Sequence, residues 1–272
     1  MNATETIGTT VSLWRYPVKS MLGEELNSAA LSHRGLLGDR AYALVDRETG
    51  KVASAKEPRK WAALFDCRAR FVDEPGEGGV LPVEITLPDG SQVTSDESRA
   101  DEALSELFGR PVELQQSPPE APVLEEYWPD IEGLDHRDTV TDEAIPEGTF
   151  FDLAPVHVLS TATLDTLREL YPQGQFEVRR FRPNLVVQTA EGASGFVEND
   201  WIDKAIAIGS DVELRITGPC PRCVMTTLPQ GDLPKDSGIL RAAAQHNGVN
   251  VGVYASVVRP GAVTRGAPVT SR

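Results

Sequence analysis

The segment AIAIGSDVELRITG, residues 205–218, alternates apolar and polar side chains on both sides of a Gly-Ser-Asp turn. A two-residue period turns one face of each strand to a core, so this stretch reads as a β-hairpin and commits the chain to sheet-based packing. Similar runs recur. VSLWRYPV (11–18), RAYALVD (40–46), PVEITLPDGSQV (82–93) and PVELQQ (111–116) read as short strands, with tight turns at ETGK and PDGS. In the second half APVHVLS, FRPNLVVQT and the nearly continuous apolar run VNVGVYASVV read the same way. AVTRGAPVT (262–270) reads as a weaker hairpin.

Helices are few. SRADEALSELFGRP predicts one capped by Ser98, with Ala103, Leu104 and Leu107 on one face and Gly109 at its end. STATLDTLRELYP predicts a second, capped by Ser160 or Thr161, with a stripe of Leu164, Leu167 and Leu170. DSGILRAAAQHNG predicts a third, ended by Asn-Gly. LSHRGLLGDR (31–40) reads as a polar connection and DEPGEGG (73–79) as an exposed turn. Residues 117–148 are rich in proline and acid with little periodicity, and read as a long excursion between two domains.

The 272 residues suffice for two cores, and the net charge of −15 argues against nucleic acid or an anionic membrane as the main partner. No basic, apolar leader opens the chain and no run is long enough to span a bilayer, so a cytoplasmic protein is expected. Three cysteines cannot build a disulfide framework.

Two of those cysteines stand in GPCPRCVMTT (218–227). The Cys220–Cys223 pair admits four readings: a zinc corner, a dithiol redox pair, a packed strand end, or one thiolate ligating a metal with the other in support. Zinc needs four ligands in a structural site, and His33, His136, His157 and His246 lack paired spacing. A redox dithiol favours a helix N-terminus, whereas this pair follows a hairpin strand. Soft thiolates suit soft metal centres.

Cations gather at strand ends. YPVKS brings Lys19 and Ser20, GLLGDR brings Arg40, RRFRPN brings Arg179, Arg180, Arg182 and Asn184, and CPRC brings Arg222. Guanidinium forks, an ammonium and a hydroxyl are the donors of anion capture, and an asparagine amide suits a heterocycle edge. Trp14, Tyr16, Trp61 and Phe65 read as core or interface aromatics, Cys67 as a packing residue, and His157 as a satisfied buried histidine.

YPVKS, GDR, FRPN and GPCPRCVMTT, in this order, resemble the MOSC family, and within it the amidoxime-reducing components and their bacterial counterparts. The resemblance implies an α+β, strand-rich fold: an N-terminal β-barrel-like domain (1–118) packed on a C-terminal MOSC β-barrel with a few helices (119–272). It implies the molybdenum cofactor, a molybdopterin carrying a dithiolene, a phosphate and a molybdenum atom. Matched by motif, Cys223 is the molybdenum ligand and the catalytic position. Lys19, Ser20 and Arg40 match phosphate-side contacts, Arg182 and Asn184 contacts around the pterin and its phosphate. Arg222, Thr226 and Asp152 match further cofactor contacts. The implied activity is two-electron reduction of N-hydroxylated small molecules such as amidoximes and hydroxylamines, with electrons from a separate electron-transfer protein. The alternative is a molybdenum-cofactor or sulfur carrier without turnover. LPQGDLPKDSG (228–238) lacks the family's first aspartate after the Thr-Thr pair, and Leu153 and Ala154 replace an expected Thr and Ser. Both departures bear on substrate identity.

Overall fold

The computed structural model describes residues 5–76, 78, 79 and 81–271. Residues 1–4 of the stretch read for a leader, and Glu77 of the 73–79 turn, lie outside the described residues.

Seven strands close into a barrel. Around the ring run Leu185–Thr189, Val156–Ser160, Asn250–Arg259, Val212–Pro221, Ala205–Ile208, Pro268–Ser271 and Glu5–Arg15, and the last pairs back onto the first. An odd ring cannot be antiparallel throughout. The one parallel pair is Val156–Ser160 with Leu185–Thr189, and a parallel pair needs a crossover. The helix Thr161–Leu170 and the single turn Val178–Phe181 supply it. Closure removes the exposed strand edges that an open sheet must protect.

Inside the barrel, Leu13, Val158, Leu185, Ile206, Leu214, Val253, Ala255 and Val269 form one core. A second core joins Val18, Tyr42, Leu44, Trp61, Leu64, Ile85, Leu104 and Val112, under the short sheets of Ala43–Asp46 with Val112–Gln115 and of Arg68–Phe71, Val83–Thr86 and Gln92–Thr94. Ala55 and Phe65 pack against Val224, Met225 and Leu228, so the loop after Cys223 rests on the amino-terminal half. The strand-rich α+β expectation is met, with a closed barrel and few helices.

Several local expectations change. The start of the 31–40 connection belongs to a small hairpin, Ser28–Ser32 with Gly35–Leu36, joined by Gly261–Thr264. AVTRGAPVT is therefore no hairpin of its own: its second strand, Pro268–Ser271, pairs with Glu5–Arg15 and Ala205–Ile208 in the barrel. Residues 117–148 fold as a second hairpin, Val123–Trp128 on Thr139–Ala144. Ser98 does not cap its helix: the N-cap is Arg99, and no side chain bonds there. Ser160 does cap the next, its hydroxyl accepting the Thr163 N–H, but Leu170 lies off the stripe at 41% exposed.

Gly252 shows how tightly the barrel is filled. Its φ is +82°, and a Cβ there would stand 2.2 Å from His157 Nε2 and 2.7 Å from the Val158 carbonyl oxygen. A left-handed non-glycine residue already costs about 1–3 kcal/mol. Gly252→Ala should therefore destabilise the fold by at least about 2 kcal/mol, read as a lower urea midpoint. An unchanged midpoint would show that the strand relaxes.

Candidate functional site

A cavity of about 260 Å³ lies between strand ends of the barrel and the 123–144 hairpin. Lys19, Ser20, Arg40, Asp152, Arg182, Asn184, Arg222 and Cys223 all line it. Thr226 does not. It is fully buried, its hydroxyl donates to the Cys223 carbonyl at 3.0 Å, and its own carbonyl accepts Arg180 Nη1 at 3.1 Å. Arg179 and Arg180 also stay away from the cavity: Arg179 pairs with Asp232 on the surface, and Arg180 donates to the carbonyls of Thr226, Leu228 and Pro234.

The backbone bends sharply to bring these groups together. Ser20, Arg40 and Arg182 hold φ of 65°, 48° and 53°, and Val249, also on the wall, holds 68°. For a β-branched residue such a φ is an outlier, and strain of this kind persists only where the surroundings over-determine it.

One carboxylate ties the motifs. Asp39 is 5% exposed. Its Oδ1 accepts the Tyr16 N–H at 2.8 Å, and its Oδ2 accepts Asn184 Nδ2 at 2.9 Å and Arg40 Nη1. Asn184 Oδ1 in turn accepts the His157 N–H at 3.0 Å. The Asn184 amide is thus occupied by protein at both ends. Tyr16 receives two guanidiniums over its ring, Arg182 at 4.1 Å and Arg40 at 4.5 Å from the centroid.

A second row of charge crosses the cavity. Lys19 Nζ donates to the Phe150 carbonyl and to Asp152 Oδ1, each at 2.7 Å. Lys56 Nζ stands 3.9 Å from Asp152 Oδ1 and 2.9 Å from Glu126 Oε2. Burial pushes the Asp152 carboxyl up, but Lys19, Lys56 and Arg40 outweigh it and hold the group well below the usual carboxylate range. Burial lowers the Lys19 ammonium, opposed by Asp152. Burial, joined by Glu126, pushes the Cys223 thiol up to about 11, while Lys56 and Arg222 pull the other way. Burial, with Arg40 beside it, brings Arg182 down to about 10.

Two guanidinium nitrogens, Arg182 Nη2 and Arg222 Nε, are buried without a partner. An unpaired buried donor costs about 1–3 kcal/mol, so an acceptor reaching either nitrogen would offset that cost.

Lys56, Glu126, Trp128 and Tyr254 line the cavity as well, and sequence reasoning missed them. VLEEYW and TVTDEA form two paired strands without a clear apolar alternation, so no period-two signal marks them. Lys56 stands alone in SAKEP and carries no signal either.

Two measurements follow from the network. Asp39→Ala strands a buried guanidinium and an amide, and should cost about 3 kcal/mol in urea unfolding; a loss under about 1 kcal/mol would mean that water replaces the carboxylate. His157 is brought down to about 3 by burial, with Arg222 adding to the effect. Its native pKa is depressed below the ordinary 6.5, so its contribution to stability is complete above pH 6.5 and is lost as pH falls towards 3. NMR titration should find a neutral ring down to about pH 4, and a ring titrating near 6.5 would contradict the burial described.

Two family models match the chain: the MOSC N-terminal beta barrel domain over residues 7–106 and the MOSC domain over residues 146–270. The mitochondrial amidoxime reducing component 2 of Rattus norvegicus is 25% identical over 258 residues, 87% of this chain and 70% of that protein. The mitochondrial amidoxime-reducing component 1 of Homo sapiens is 25% identical over 239 residues, 82% of this chain and 67% of that protein. The molybdenum cofactor sulfurase of Bos taurus is 25% identical over 270 residues, which are 89% of this chain and 29% of that protein. With both models matched in order, the chain belongs to the MOSC family.

Proposed function

We propose that this chain binds the molybdenum cofactor and reduces N-hydroxylated small molecules, with electrons from a separate electron-transfer protein. The observation that carries the reading is a cysteine thiol sharing one cavity with Lys19, Arg40, Lys56, Arg182 and Arg222, where Arg182 and Arg222 each keep one buried nitrogen without a partner. The donor set fits the group. Cys223 would hold the metal through sulfur. Lys19, the Ser20 hydroxyl, Arg40 and Arg182 would hold the phosphate and the pterin. Arg222 would meet an acceptor beside the metal, and Asn184 acts by holding Asp39 and the His157 backbone. The cofactor, once bound, supplies two-electron redox chemistry at a sulfur-ligated metal.

The rest falls to the chain. Ligation by Cys223 requires loss of its thiol proton, made costly by burial and favoured by Lys56 and Arg222. The net reaction, RNHOH plus two electrons and two protons to RNH2 plus water, needs protons near the cavity, and the Lys56–Glu126 pair lines it. The division at residues 118/119 and a cytoplasmic setting belong to this proposal; the three cysteines are free thiols, as a reducing compartment would keep them. Among the described residues no helix is long and apolar enough to cross a membrane.

The similarity to a molybdenum cofactor sulfurase favours a second reading, a cofactor or sulfur carrier without turnover. Expression in a host that makes the cofactor separates the two. Reductase function predicts equimolar molybdenum by elemental mass spectrometry, turnover of benzamidoxime with reduced viologen, and loss of both in Cys223→Ala. Molybdenum without turnover, or a persulfide on Cys223, would favour the carrier. An active Cys223→Ala would remove the ligand assignment.

A further inference from the structure

The geometry points to Cys220 as a positioning residue, whose sulfur fixes the Arg222 guanidinium in the orientation that serves the cavity. The inference rests on the reading above that the cavity takes an anionic, metal-bearing cofactor.

The two cysteines of CPRC have parted roles. Cys223 follows the end of the Val212–Pro221 strand, caps the short Val224–Thr227 turn and lines the cavity. Cys220 lies within the strand and is fully buried. The register with Asn250–Arg259 shifts between Pro219 and Pro221, where Cys220 alone faces Val251 and Gly252, so Cys220 lies opposite an irregularity of the partner strand. Its sulfur accepts Arg222 Nη1 at 2.6 Å. Tyr254 also lines the cavity.

Arg222 is gripped on every side but one. Nη1 meets Cys220, Nη2 donates to the Phe181 carbonyl at 2.9 Å, and its backbone N–H donates to Val249 at 2.9 Å. Nε alone has no partner. A fork held in this way gives up little side-chain freedom when an acceptor arrives. Alanine at position 220 leaves Nη1 unpaired and lets the guanidinium turn.

The test compares Cys220→Ala with Cys220→Ser, which keeps an acceptor. The first readout is the rate at which the holoprotein loses molybdenum on dialysis. The second, independent of cofactor, is the nitrogen-15 NMR signature of Arg222, whose Nη groups should give separate signals because rotation is hindered. Cys220→Ala should lose molybdenum about tenfold faster and merge the Arg222 signals. Cys220→Ser should stay near wild type, and Arg222→Ala added to Cys220→Ala should cause no further loss. Molybdenum retention and split Arg222 signals both surviving in Cys220→Ala would overturn the assignment, as would additive losses in the double variant. If the wild type takes up no molybdenum, the cofactor reading fails, and the Arg222 signals alone decide the role of Cys220. If Cys220→Ala does not fold, Cys220→Val, which fills the space without an acceptor, is measured in its place.

Discussion

The buried carboxylate of Asp39 makes the rest of the cavity possible. Arg40 and Arg182 share the ring of Tyr16, one at 4.5 Å and one at 4.1 Å. Two guanidiniums at that spacing repel, and burial strips them of the water that would screen the repulsion. Asp39 compensates from one side, and it is itself held by the Tyr16 N–H and the Asn184 amide. The carboxylate therefore does two things at once. It lowers the cost of concentrating positive charge, and it joins three chain segments that are far apart in sequence.

On the opposite side the charge is balanced differently. Lys19, Asp152, Lys56 and Glu126 alternate in sign across the cavity. Glu126 belongs to the 123–144 hairpin, which Tyr127 fastens through its N–H to the Lys56 carbonyl at 2.8 Å, and Lys51 and Lys60 grip through Glu125. The wall above the cysteine is thus clasped by lysines of one half on acids of the other. The acidic character of residues 117–148, which in sequence resembles a solvated connection, is used for attachment.

Much of this was legible before the structure. Alternating or continuous apolar runs mark most barrel strands, and Ser160 or Thr161 marks the start of the helix that Ser160 caps. Lys19, Arg182 and Arg222 lie beside ends of barrel strands, which crowd together, whereas Arg40 reaches the cavity from a turn outside the barrel. What stayed hidden was pairing. Nothing in AVTRGAPVT says that its second half joins Glu5–Arg15, since a strand's partner is chosen by long-range packing and not by its own residues. Asp39 carries no local signal for a similar reason. Its value lies in groups contributed by residues 16 and 184, and no local spacing records them.

Barrel closure also sets an order of events in folding. The Glu5–Arg15 strand bonds to Leu185–Thr189 on one side and to Pro268–Ser271 on the other. That strand is made before either partner and must therefore wait for both. Loops of this length close slowly, and an unpaired strand is exposed while it waits. The second core, assembled from residues between Val18 and Val112, needs no such delay. It can form early and tether the waiting strand, so the amino-terminal half would act as an internal escort for the barrel that its own first strand completes.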